Sequence, residues 1–120
     1  MAIFEVWDIV KVPSPYTDRP VRQRRPALVV AAGEIEAALG PLWLVMITSA
    51  ENRGWPGDVD ISNLRAAGLP APSIVRPAKI ATVDARDAQR LGTLPGGDRK
   101  AVIAGLRAIL GAVIETSDSE

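Results

Sequence analysis

Residues 22–30, RQRRPALVV, set Arg22, Arg24 and Arg25 at the mouth of an apolar, β-rich run, with Pro26 directly after Arg25. A guanidinium is a planar fork of donors that stays charged and matches paired phosphate oxygens, so the chemistry offered here is phosphate handling. Proline fixes the backbone where the strand begins, and a charged fork on a rigid element is better aimed than one on a loose loop. An ordinary solvated loop is the competing account. A second candidate is MITS, residues 46–49. Thr48 and Ser49 close the most apolar strand of the chain, and either hydroxyl could donate to a phosphate oxygen. Capping of the following loop is the alternative. Asp58 and Asp60 in GDVD hint at a Mg²⁺ pair, but they stand two apart on a strand with no third ligand in view, and a solvated strand face is the preferred reading. PGGD, residues 95–98, opens a helix, but Asp98 would repel an anion there, so a helix cap is the better account.

These candidates gain weight from what is missing. The chain of 120 residues contains no histidine and no cysteine. The commonest acid–base group is absent, and so are thiolate nucleophiles, thiolate metal sites and disulfides. Fourteen basic residues balance fourteen acidic ones, so a globally basic nucleic-acid binder is not indicated and any anion site must rest on local charge. Four arginines in residues 19–25 supply that asymmetry, and the tail ETSDSE carries the opposite sign. Glu5 and Asp8 interrupt the first apolar run, which argues against a signal peptide. The longest uncharged stretch, Ala37 to Ala50, is shorter than the ~20 residues of a spanning helix. A soluble, cytoplasmic, single-domain protein is expected, with no membrane partner.

The elements that must position the candidates are short strands. Residues 3–13 read as a first strand, 26–32 as a second and 42–49 as a third, the last two well buried. DVDIS suits a short strand and NLRAAG a helical turn closed by Gly68. LPAPS is an extended connector. SIVRPAKIATV is strand-like, with Pro77 at an edge or a bulge. DARDAQRLG favours a short helix. The C-terminal helix is the clearest: Asp98 is a plausible N-cap, and Val102, Leu106, Ile109, Leu110 and Val113 recur at helical spacing, with Ile103 at the margin, as a face for packing on a sheet. Strands joined by polar loops imply an antiparallel sheet curled into a small barrel.

Taken in order, WDIVKVPSPYTD, RRPALVVA, LWLVMITSAENRGWPGDVDIS, SIVRPAKIATVD and LGTLPGGDRKAVIAGLRAILG resemble the MazF/PemK family of toxin endoribonucleases over residues 5–111. The resemblance implies an SH3-like (CcdB/PemK-type) antiparallel β-barrel with short helical turns and a packed C-terminal helix, over a domain 1–114 followed by an acidic, flexible tail 115–120. It implies the toxin half of a bacterial toxin–antitoxin pair, a homodimer that cuts single-stranded RNA without metal or other cofactor. The implied products carry a 2′,3′-cyclic phosphate and a 5′-hydroxyl, and a cognate antitoxin lays an acidic tail across the groove.

Carried over by position, the resemblance makes Arg25 and Thr48 the catalytic pair. Arg22, Arg24, Ser49 and Arg53 could line the groove for neighbouring phosphates, and Lys79 lies on a strand that the family places near the site. Tyr16 and Trp55 offer aromatic faces for splayed bases, with packing under its own loop the equal alternative for Trp55. Asp18 and Glu51 are the loop carboxylates nearest the expected site. The chain departs from the common family pattern at Ser14 and at Ala81, where relatives carry an aromatic and a basic residue respectively. A non-enzymatic, CcdB-like toxin that binds a protein such as gyrase, and a degenerate toxin that no longer cuts, are the alternatives.

Overall fold

The computed structural model describes residues 4–14, 23–32 and 40–116, and the backbone alone at 115 and 116. Six strands form one antiparallel sheet: β1 (Asp8–Pro13), β2 (Arg24–Ala32), β3 (Pro41–Ser49), β4 (Val59–Asp60), β5 (Ser73–Asp84) and β6 (Gln89–Thr93), in the spatial order β4-β5-β3-β2-β1-β6. A one-turn helix, α1 (Leu64–Ala67), precedes β5, and α2 (Gly96–Thr116) closes the chain.

Both faces of this sheet are covered, which explains why its strands are so uniformly apolar. Ile9, Leu28, Val45, Ile47 and Val75 point into one cluster, completed by Ile61, Ala67, Leu69, Leu94 and Val102 from the α1 and α2 side. Their alternating neighbours Val10, Val12, Ala27, Val29, Leu44 and Met46 form a second cluster with Phe4, Leu42 and Ala85. A sheet serving two cores must curl. Register breaks at Ile9/Val10, Val29/Ala31 and Val45/Met46 provide the bends. The last is a bulge on β5: Arg76 pairs with Met46 and Ile80 with Val45, so 77–79 are extra residues. The bulge expected from Pro77 is therefore present. The Pro77 ring lies against α2, where a Cβ on Gly105 would sit 3.0 Å from its Cγ.

Several expectations need correction. β1 begins at Asp8, because Trp7 takes a left-handed φ of 81° that no strand accommodates. Two backbone bonds, Trp7 N–H to Val29 O and Leu94 N–H to Trp7 O, each 2.9 Å, hold that conformation. The Arg99 guanidinium lies 5.4 Å from the Trp7 ring centroid. DARDAQRLG is not a helix: a single 3₁₀ turn at Ala85–Asp87 leads into β6. Pairing with β1 overrides helical propensity there, and Gly92 lets α1 pack directly on the strand, since a Cβ would collide with Ala66 O.

Asp98 is not the N-cap of α2 but lies inside its first turn, where its carboxylate accepts from Ser62 N–H (2.8 Å) and Ser62 Oγ (3.1 Å). The packing face of α2 is also shorter than its spacing implies. Val102 is buried and Leu106 half-buried, but Ile103, Ile109, Leu110 and Val113 are exposed. It continues through Thr116, two residues into the segment read as a tail.

Candidate active site

Arg25 and Thr48 come together through sheet register. β2 and β3 pair with Ala27 opposite Met46, and extending that register by two residues sets Arg25 opposite Thr48 on one face. Both residues line one cleft of about 290 Å³ at the open end of the β2–β3 ladder. Ser49, Lys11 and Ser73 join them, and the α1–β5 connector supplies a wall of Leu69, Pro70, Ala71 and Pro72. Among the described residues nothing pairs with the Arg25 guanidinium, so it is available for an anion.

The Thr48 hydroxyl is oriented. Asn52 Nδ2 donates to Thr48 Oγ1 at 3.0 Å, which occupies an acceptor position and leaves the hydroxyl proton to point elsewhere. Asn52 belongs to a 3₁₀ turn, Ala50–Asn52, that follows β3 and is capped by Ser49, whose Oγ accepts from Glu51 N–H at 3.3 Å. The same turn is tied from below: Arg76 Nη2 donates to Asn52 O at 2.7 Å.

Arg76 and Asp58 form the strongest polar cluster near the cleft. Nε and Nη2 of Arg76 each lie 3.0 Å from a carboxylate oxygen of Asp58, and the two side chains are only 8% and 9% exposed. Asp58 Oδ2 also accepts the Gly54 and Trp55 amides. Arg76's hydrogen bonds, opposed by burial and aided by those amides, hold the Asp58 carboxyl below its usual pKa, and Asp58 in turn raises that of Arg76. Trp55 closes the cluster, with the Arg76 guanidinium carbon 4.3 Å from its ring centroid. One Trp55 face is thus occupied, and the residue remains 47% exposed. Trp55 thus packs within its own loop while part of its ring stays accessible.

Other predicted site residues lie elsewhere. Arg24 and Arg25 are strand neighbours and point to opposite faces. Arg24 Nη2 instead donates to Lys11 O (3.1 Å) and Asp87 O (3.3 Å), clamping β1 to the turn before β6. Arg53 pairs with Asp60 at 2.7 Å on the surface. Lys79 sits in the β5 bulge and does not line the cleft. Asp58 and Asp60 are thus each engaged by an arginine. Arg22, Tyr16 and Asp18 lie outside the described residues. Sequence reasoning missed Lys11, Asn52 and Arg76. Only Asn52 left a local signal, standing four residues after Thr48 in a polar turn.

A family model for the PemK-like, MazF-like toxin of type II toxin–antitoxin systems matches residues 5–110. This chain belongs to that family. No protein of curated description matches it. Its fold is similar to a MazF crystal structure from Deinococcus radiodurans, with a TM-score of 0.73 and 21% identity over 92% of this chain and 99% of that one. A MazE–MazF complex from the same organism gives 0.71 and 21%, covering 92% and 98%. An endoribonuclease in complex with its cognate antitoxin, from mycobacterial species, gives 0.68 and 17%, covering 88% and 93%. PemK/MazF membership makes this chain a toxin-family protein of the half-barrel type, with its C-terminal helix laid on the sheet. No helix among the described residues is long and apolar enough to cross a membrane.

Proposed function

We propose that this chain is an endoribonuclease toxin that cleaves single-stranded RNA at the Arg25–Thr48 cleft without a metal. The observation that carries this reading is the convergence of an unpaired guanidinium and an oriented hydroxyl on one cleft in a chain of this family. RNA brings its own nucleophile. The 2′-oxygen bonds to phosphorus, the bond from phosphorus to the 5′-oxygen breaks, and a 2′,3′-cyclic phosphate and a 5′-hydroxyl result. The 2′-proton passes to water or to an oxygen of the substrate phosphate. The enzyme's task is positioning and charge stabilisation. Arg25 grips the scissile phosphate and neutralises the charge that develops on it. Thr48 donates to a non-bridging oxygen, and the leaving oxygen takes a proton from the Arg25 side of the site or from water.

Similar structures that are complexes with an antitoxin support a cognate antitoxin as the partner of this chain; the family resemblance adds a homodimer as the proposed working state. The test is a digest of long single-stranded RNA by the purified protein in EDTA, beside Arg25→Ala and Thr48→Val. Discrete cuts with cyclic-phosphate ends, lost in Arg25→Ala and slowed about 10²-fold or more in Thr48→Val, support the reading. Intact RNA from folded wild-type protein refutes it.

A further inference from the structure

Half of the cleft is unsuited to phosphate. Leu69, Pro70, Ala71, Pro72 and Leu91 present apolar surface next to Arg25 and Thr48. A phosphate prefers charge and water, whereas a flat nucleobase is suited to a rigid apolar wall with one or two donors at its edge. The wall is held in place. Leu69 N–H bonds Leu64 O at 2.9 Å, Ala50 N–H bonds Pro72 O at 3.0 Å, and Ser73 Oγ donates to Ala71 O at 2.8 Å. Gly68, the αL cap of α1 at φ 74°, turns the chain into this wall and sits so close to β6 that a Cβ would collide with Leu91 O. Two prolines further restrict the connector.

Lys11 supplies the donor. It enters from β1, is half-buried, and lines the cleft opposite the connector's residues. Its carbonyl accepts from Arg24, but its ammonium has no partner among the described residues. An ammonium has three protons to donate and accepts nothing. A half-buried, unpaired ammonium beside an apolar wall therefore calls for a ligand whose edge carries acceptors.

We propose that this half of the cleft is a nucleobase pocket, in which Lys11 selects a base with carbonyl acceptors next to the scissile phosphate. Uracil and guanine offer such an edge. Adenine, with an amino group where guanine has a carbonyl, is the base disfavoured. The volume of about 290 Å³ holds one nucleotide and no duplex. The proposal rests on the RNA reading of the cleft and adds the element that chooses where to cut.

The test separates the two. Isotope-labelled protein is titrated with the 3′-monophosphates of uridine, guanosine and adenosine, and with inorganic phosphate, at fixed ionic strength, and amide shifts are followed. The expected result is perturbation at Lys11, Gly68, Leu69 and Ala71 by the uridine and guanosine nucleotides, with affinity about fivefold or more above that for the adenosine nucleotide. Lys11→Met should erase the difference, and Lys11→Gln, which keeps a neutral donor, should retain part of it. Ala71→Trp, at an exposed position, should fill the pocket and abolish the shifts without unfolding the protein. Equal affinity for all three nucleotides overturns the proposal. So does inorganic phosphate giving the same shifts at Lys11, or Lys11→Gln behaving like Lys11→Met, since each makes Lys11 a phosphate contact. Wild-type protein that binds the nucleotides selectively but leaves RNA intact would uphold the pocket and sink the nuclease. Protein that cuts RNA but shows no base preference in the titration would do the reverse.

Discussion

Replacing Asp58 by alanine should cost far more than an acidic residue in a polar surface loop normally would. In the native loop the carboxylate accepts four hydrogen bonds: Arg76 Nε and Nη2, and the Gly54 and Trp55 amides. Truncation leaves the Arg76 guanidinium buried without its counter-charge, a change that typically costs about 3–5 kcal/mol. Arg76 keeps the Asn52 carbonyl and the Trp55 ring, which argues for the lower end, about 3 kcal/mol. For a chain of this size that is a fall in melting temperature of roughly 10 °C. The assay is thermal and urea unfolding of wild type, Asp58→Ala, Arg76→Met and the double variant. Because the penalty comes from an orphaned charge, removing both partners should restore most of the loss, with a coupling of about 2 kcal/mol or more. A fall below about 3 °C for Asp58→Ala, or a double variant as unstable as the sum of the singles, would refute the reasoning. Cleavage should weaken in Asp58→Ala even well below its melting temperature, because the turn that carries Asn52 is tied to Arg76.

Three further outcomes follow from the same geometry. The Asp58 carboxyl titrates below its ordinary value, so its stabilisation is complete above about pH 4 and lost as pH falls through the lower folded-state value; the gap in melting temperature between wild type and Asp58→Asn should be flat from pH 5 to 8 and close only in more acidic solution. Asn52→Ala removes the bond that orients Thr48 and should lower kcat about tenfold or less, with KM and melting temperature nearly unchanged; a change confined to KM would defeat its positioning role. Arg24→Ala should cost about 1 kcal/mol of stability and leave cleavage largely intact, in contrast to Arg25→Ala; equal silencing by both would mean that Arg24 also reaches the phosphate.

The sheet was legible in the sequence because its signal is local. LWLVMITS and PALVVAA carry their burial in residue type, and Asn63 and Gly68 bracket α1 by their side-chain and backbone preferences. Gln89–Thr93 was not legible, because an edge strand of mixed composition is defined by its pairing with β1 rather than by its own pattern. The Arg25–Thr48 pairing was visible only through family resemblance. What sets the two residues face to face is a register relation between neighbouring strands, across 23 positions of the chain, which no window reading contains. The opposite facing of Arg24 follows from strand periodicity once β2 is known to begin at Arg24 rather than Pro26. Lys11 and Arg76 were hidden because each looks like a routine charged residue on a strand, and their importance depends on what lies across space.

The apolar side chains exposed on the distal half of α2 tie this protein's stability to whatever covers them. Ile109, Leu110, Val113 and Ile114 are left between 38% and 78% exposed. Any molecule that covers them binds the folded form and not the unfolded one, so it adds stability in proportion to the logarithm of its own concentration. The melting temperature should therefore depend on how much protein is in the tube if the cover is a second copy, and on how much partner is present if it is not. A cell that keeps such a chain scarce would hold it near its weakest state, and one that lets it accumulate would make it harder to unfold and to clear.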